Sequence, residues 1–434
     1  MRKLFKKLWN DERGNALIIF GASLPMIMGA AGLASDTIQW TLWKRQLQRA
    51  ADSAAFAGVY AQVQENAAMT ATQAVNLDLA KNNTTQIALM SGYPQIAYPT
   101  GTGYSDAVRV TLAVQKQLGF SSLFISTPPT ITTSATAALV LGDKYCVVAL
   151  APTGKGILIG GSTDVNMGCG AISNSTDPVW SVNVDGNGHT FAADPIAAVG
   201  AISGTVNGSP NLEPWALKLD DPYANLPTSI PSSENCQNFN HNSHYPPSSG
   251  SNGNGNGNNN SGATTLLPGC YNSFSPGGGT YNLEPGVYYL NNTSLSLSGQ
   301  TILTGEGVTI ILTGTDPGSL SMTGNSSLQL TAPTSGTYAN MLLIQSPNAD
   351  VGNNNTINGD NSTVLDGAMY FPNGNLTFTG SSTGAFQCAM VVGYTVDFSG
   401  SATIQNDNDG DGNPDTDDCE ADTQVQHKKI RLIA

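Results

Sequence analysis

The densest array of ligating side chains in this sequence is Asp407-Asn408-Asp409-Gly410-Asp411-Gly412-Asn413-Pro414-Asp415-Thr416-Asp417-Asp418. Counted from Asp407, carboxylates fall at positions 1, 3, 5, 9 and 12, with glycine at position 6. A calcium ion takes six to eight oxygens, and a glycine in the middle of the loop permits the sharp turn that brings them together. The candidate ligands are therefore Asp407, Asp409, Asp411, Asn413, Asp415 and Asp418, with calcium as the expected ion. Position 12 is Asp rather than Glu and no helical pattern flanks the run. It is closer to the calcium loops of extracellular repeat modules than to a helix–loop–helix hand. An acidic surface turn with no ion is the other reading, although mutual repulsion of so many carboxylates favours a cation.

Other chemistry is thinner. Asp397-Phe398-Ser399-Gly400-Ser401 spells the DxSxS of a von Willebrand A metal site, but only 33 residues follow Ser401, far too few for that domain. Gly154-Lys155-Gly156 lacks the spacing and the following hydroxyl residue of a P-loop, and neither GxSxG nor HExxH occurs. A glycosidase or lyase built on β coils needs two or three converging carboxylates. Asp350, Asp360 and Asp366 lie in one region, yet Lys and Arg are absent from Asp220 to Gln426, so carboxylate-binding cations are missing there. We expect no catalysis. The formal charge of −14 argues against nucleic acid as a partner, because a phosphate backbone would be repelled.

The elements that must carry these residues begin with an apolar segment. Ala16 to Ala34 runs 19 residues without a charge, about 28 Å of helix and close to the hydrocarbon thickness of a bilayer. Arg2, Lys3, Lys6, Lys7 and Arg13 precede it. That favours a cytoplasmic tip (1–13), a transmembrane helix (14–35) and export of the remainder. The alternative is a cleaved signal peptide ending near Ala34. Beyond the span Trp40, Trp43, Leu47 and Ala51 continue at helical spacing. Ala50, Ala54, Gly58 and Ala61 place small residues on one stripe, which suits either another protein's helix or the chain's own packing.

Six cysteines, Cys146, Cys169, Cys236, Cys270, Cys388 and Cys419, all lie past the apolar segment, and no CxxC occurs. In an oxidising compartment, pairing by proximity gives 146–169, 236–270 and 388–419, one of fifteen connectivities.

Residues 11–62 resemble the N-terminal domain of TadG-like proteins of the Flp (tight adherence) pilus system. The features that carry the resemblance are Arg13-Gly14-Asn15, Pro25 within the span, Gly32 and Asp36 at its exit, and Leu47-Gln48-Arg49-Ala50-Ala51-Asp52-Ser53-Ala54-Ala55. The resemblance implies a bacterial inner-membrane protein with a periplasmic or surface-exposed C-terminal domain. It also implies a part in pilus assembly or adherence beside other Tad and pilin-like envelope proteins. Class IV pre-pilins carry a glutamate five residues after the cleaved glycine; here that position is Ile19, which points to an anchor rather than a processed subunit.

The rest divides in two. Residues 36–142 read as a small α+β, pilin-like module: one or two helices over 36–82, a half-buried strand at Asp106–Val114, a short helix at Leu118–Phe124 and a strand at Thr130–Leu141. From 143 to 434 short apolar runs alternate with Gly, Asn, Ser and Pro. A five-residue pattern recurs at Leu295–Gly299, Leu320–Gly324, Leu376–Gly380 and Val396–Gly400, its starts separated by 25, 56 and 20 residues. Such coils cannot bury their own apolar face and must stack, so the expectation is a mainly β protein whose exported domain is a parallel β-helix or other solenoid. A β-sandwich is the alternative. The tract 248–262 (SSGSNGNGNGNNNSG) reads as a disordered insertion, and residues 427–434 as a last strand or a basic cap. A rigid domain of this kind presents a surface to a glycan or a protein.

Overall fold

A computed structural model describes residues 13–64, 68–82, 88–166, 168–185, 190–206, 210–232, 234–240, 263–323, 325–358, 363–379, 383–387, 390–400, 403–406 and 425–433. The chain is mainly β and forms two compact units, Met1–Leu141 with Lys428–Ala434, and Gly142–His427. In chain order the second unit is thus an insertion in the first. The tract 248–262, Cys388 and Cys419 lie outside the described residues.

In the first unit, helix α1 (Arg13–Val63) carries the apolar segment and the following helix as one 51-residue element. Its second half is amphipathic. Leu47, Ala51, Ala54, Ala55 and Val59 are buried and pack with Val75 of helix α2 (Ala71–Asn82) and with Val108, Val110, Leu112, Val114, Ile131, Ala135 and Ala137. Those last seven come from an antiparallel sheet of β1 (Gln95–Ala97), β2 (Ser105–Gln115) and β3 (Thr130–Ala149). Val110 is the register centre, opposite Ile96 and Ala135. The stripe of small residues serves this internal packing: a Cβ on Gly58 would lie 2.8 Å from Val108 and 3.0 Å from Val75. Helix α2 begins with a reciprocal cap, Gln73 N–H donating to Thr70 Oγ1 and Thr70 N–H to Gln73 Oε1. Residues 118–124, expected as a helix, make only a 3₁₀ turn at Ser121–Leu123. Two prolines follow within a few residues and leave no room for a second turn.

In the second unit the described pairings are parallel and form three ladders. The first runs Leu212–Pro214, Ile196–Ala198, Gly170–Ser173, the end of β3, Val391–Phe398, Ala368–Phe378, Met341–Gln345, Val308–Thr313, Gly286–Asn291, Gly269–Ser275 and Gln237–Asn240. The second stacks Leu295, Leu320, Asn355, Leu376, Val396, Ile157, Val182 and Ile202 at one position. A third joins nine strands from Thr264–Leu266 to Thr190–Ala192. Side chains that alternate inward from all three merge in one apolar cluster.

The five-residue pattern is the second ladder. Its 56-residue gap contains a copy that the pattern conceals, Asn355-Thr356-Ile357. There a polar residue occupies an aliphatic position, and Asn355 is fully buried because its amide is matched: Leu320 N–H donates to Oδ1 at 2.9 Å, and Nδ2 donates to Asn353 O at 3.1 Å. The rung Ile157–Ile159 pairs with Val396–Phe398, and two residues past it a glycine is required: Gly161 has φ +76, and a Cβ there would meet the carbonyl oxygen of the pattern's Gly400 at 2.5 Å.

Rungs do not stack in simple chain order. From the β3 rung the chain builds outward to Leu212–Pro214, restarts at the far end with Gln237–Asn240, and returns until Val391 pairs with Val147. Residues 215–236 run between the two ends as a strap that touches successive rungs. Asn174 and Leu219 exchange two 2.8 Å hydrogen bonds. Tyr370 donates to Asp221 at 2.8 Å, and the Tyr338 hydroxyl to the Pro227 carbonyl at 2.9 Å. Cys236–Cys270 closes the far end, and Cys146–Cys169 links two neighbouring rungs, both pairs as proximity suggested. The C-terminal residues form strand Val425–Leu432. His427 is buried, which pushes its pKa down, so it adds no positive charge to a basic cap.

Candidate functional site

Outward of Leu47, most large apolar side chains of helix α1 are uncovered. Ile19, Leu24, Met26, Ile27, Met28, Leu33, Ile38 and Leu42 are all more than half exposed, Met26 at 79%. Water does not favour such an arrangement; contiguous exposed apolar surface marks an interaction site. Among the described residues, no helix is long and apolar enough to cross a membrane. The side chains of 13–18 and 20, which include Ala16–Ile18 and Phe20 of the expected span, lie outside the described residues.

The junction between the apolar helix and the module is built around Asp36. Its side chain is buried although its neighbours on the helix are exposed. Asp36 Oδ1 accepts from the Phe120 N–H at 2.9 Å, and Oδ2 accepts from the N–H and the hydroxyl of Ser121. Burial works against ionisation, but the Ser121 hydroxyl and the two N–H donors outweigh it and hold the carboxyl below its ordinary range. One turn earlier, Gly32 lets the Phe120 ring lie on the helix backbone; a Cβ there would overlap the ring at 2.2 Å. Gly32 and Asp36, noted in the sequence only as marks of the span's exit, therefore work as a seat and a clamp for the β2–β3 loop.

A pH dependence follows. An unfolded aspartate protonates near 3.8, the folded one at a lower pH. The clamp's contribution is thus complete above about pH 5 and disappears as pH falls through the folded value. Thermal melts of the wild type and Asp36→Asn should differ by a constant amount at neutral pH, and the gap should narrow as pH falls through the folded value. A gap that does not narrow in acid would show that the carboxylate is not the clamp.

A basic and aromatic ring surrounds the same junction. Lys116 Nζ sits 4.4 Å from the centre of the Trp43 ring, and Lys44 Nζ 5.3 Å from that of Trp40, with Arg45 and Arg49 exposed beside them.

The acidic residues singled out in the sequence fare differently. Asp407, Asp409, Asp411, Asn413, Asp415 and Asp418 lie outside the described residues. Among the described residues no group of three or more His, Cys, Asp or Glu is placed to hold a metal. Asp350 is exposed in a turn leading to the second ladder, Asp366 ends a strand of the third, and Asp360 is outside the described residues. Burial pushes the Asp366 and Asp397 carboxyls up. Asp397 belongs to the stacked rung Val396–Phe398, opposite Leu158. A shallow groove of about 540 Å³ carries two carboxylates that the sequence reading did not single out, Glu284 and Glu306, with Asn282, Thr304, Gln329 and Thr331. Register alone reveals them, since Asn282 pairs with Thr304 and the glutamates follow two residues on.

These features define a helix-led α+β module with an exposed apolar stalk, interrupted by a large parallel β insertion. Residues 14–69 match the family model described as "Putative Flp pilus-assembly TadE/G-like". That stretch spans the stalk, the Asp36 junction and the buried half of α1. No curated protein and no solved structure matches the chain.

Proposed function

We propose that the protein is an envelope-anchored structural component of Flp-type pilus assembly or surface adherence, without catalysis. Residues 14–35 of helix α1 cross the bacterial inner membrane with the N-terminus cytoplasmic, and Gly142–His427 is an exported parallel β-helix. One observation carries this reading: the matched stretch 14–69 includes a helix whose inner half is committed to a core and whose outer half, apart from the Gly32 and Asp36 contacts, carries exposed large apolar side chains. The stacked parallel rungs and buried disulfide-linked cysteines support a rigid exported domain. On this reading the loop 407–418 takes calcium, an assignment that rests on sequence spacing alone.

The test is deletion of the gene, scored for pili by electron microscopy, together with fractionation and N-terminal sequencing of the native protein. We expect loss or shortening of pili and an uncleaved chain in the inner membrane. Normal pili in the deletion strain would leave adhesion by the β unit as the better reading, one that the polar groove at Glu284 and Glu306 favours. A chain starting near Ser35 would replace the anchor by a signal peptide, and one starting at Asn15 would show pilin-type processing.

A further inference from the structure

The β2–β3 loop presents three consecutive large apolar side chains to its surroundings, Leu123 at 74%, Phe124 at 75% and Ile125 at 57% exposure. Its backbone is closed on itself. The N–H groups of Phe120 and Ser121 go to Asp36, and Ser122 donates to Leu118 O at 3.1 Å. Leu123 donates to Phe120 O at 3.1 Å; Phe124 and Ile125 donate to Ser121 O at 3.0 and 2.8 Å. Both serine hydroxyls are used as well, Ser121 on Asp36 and Ser122 on Gly119 O. Water would satisfy these groups in an ordinary surface loop. A segment whose N–H groups from 120 to 125 all have protein partners while its apolar side chains turn outward meets a requirement of backbone in a lipid environment.

Its level along α1 points the same way. Phe120 rests on Gly32, inside the charge-free run that ends at Ala34, and the Phe124 ring lies 5.3 Å from that of Phe120. A bilayer that holds the run therefore meets Phe124 within 5.3 Å of the level of Phe120. Beyond it along the helix come Trp40 and Trp43 with Lys44 and Lys116 against their rings, then Arg45 and Arg49. Tryptophan with lysine or arginine is the composition of a headgroup layer, and the cations complement anionic phospholipid.

We propose that Leu123, Phe124 and Ile125 form a second membrane contact, a wedge seated in the outer acyl–headgroup boundary of the bilayer and clamped to α1 through Asp36 and Gly32. This rests on the reading of α1 as membrane-embedded. With two points of attachment, the module would be fixed in tilt and rotation rather than swinging on a single helix.

The test uses the full chain reconstituted in vesicles of phosphatidylethanolamine and phosphatidylglycerol, with an environment-sensitive fluorophore on Leu123→Cys, Phe124→Cys or, as a reference in the stalk, Ile27→Cys. We expect blue-shifted emission at positions 123 and 124, quenching by nitroxide-labelled lipid and loss of iodide quenching, as at position 27. A lipid-exposed label at 27 with water-exposed labels at 123 and 124 would overturn the wedge and leave the anchor standing. Water exposure at all three would overturn both. Labels at 123 and 124 shielded from iodide and from lipid quencher alike would assign the loop to a protein partner and also overturn the proposal.

Discussion

Replacing Phe398 by alanine should lower the melting temperature of the inserted β unit by roughly 10 °C, through a loss of about 3–5 kcal/mol. Phe398 is fully buried; its ring stacks on Phe378 at 5.0 Å and meets Phe191 at 6.3 Å. These three rings join the parts of the chain that meet last. Phe191 belongs to the outgoing rungs, and Phe378 and Phe398 belong to the returning ones. The substitution removes the largest contact at that seam and leaves a cavity that neighbours fixed by ladder hydrogen bonds cannot fill. Where rungs are linked mainly through their neighbours, a weak internal junction also threatens cooperativity. Calorimetry of the purified protein should show a broadened or split transition. A loss near 1 kcal/mol with a single sharp transition would mean that the seam repacks and is no weak point.

Introducing Leu24→Asp together with Ile27→Asp should move the protein from the membrane to the soluble fraction. Each carboxylate in a bilayer interior costs about 2.5–3.5 kcal/mol on insertion scales, so the pair shifts partitioning by about a thousand-fold or more. Neither residue belongs to a core; both are more than half exposed. The melting of the folded units should therefore stay unchanged, which separates loss of membrane attachment from misfolding. Retention of the double variant in carbonate-washed membranes would refute the anchor.

The sequence carried the long helix and the two longer strands of the first unit in its periodicities, but not strand β1 or the return of Lys428–Ala434. Leu47, Ala51 and Val59 recur at helical spacing, β2 alternates, and both become the core of the module. The five-residue pattern likewise pointed to a stack. What it lacked was the Asn355 rung, because a hydrogen-bonded amide in an aliphatic column is invisible to a hydropathy pattern. It also concealed the order of rungs, since most rungs carry similar aliphatic inward-facing residues and nothing in a repeat says which copy it will pair with. Glu284 and Glu306 escaped notice for a related reason: they are distant in sequence and adjacent only through register. Gly32 and Asp36 were visible as residues of a known pattern, but their partner is a loop some eighty positions away, and no local spacing announces it.

The doubled-back order of the second unit bears on how such a chain is made. Synthesis delivers the Val147 rung early, and one flank of it stays an open strand edge until Val391 arrives. An open parallel edge is a template for pairing with other chains. A nascent or interrupted polypeptide stopping anywhere before Val391 would keep that edge bare, however well its other coils had formed. The helical module waits too, because Lys428–Ala434 belongs to it. Closure of both units thus waits for residues far downstream of those they pair with, from Val391 onward, and the fold itself discriminates against polypeptides interrupted before that point.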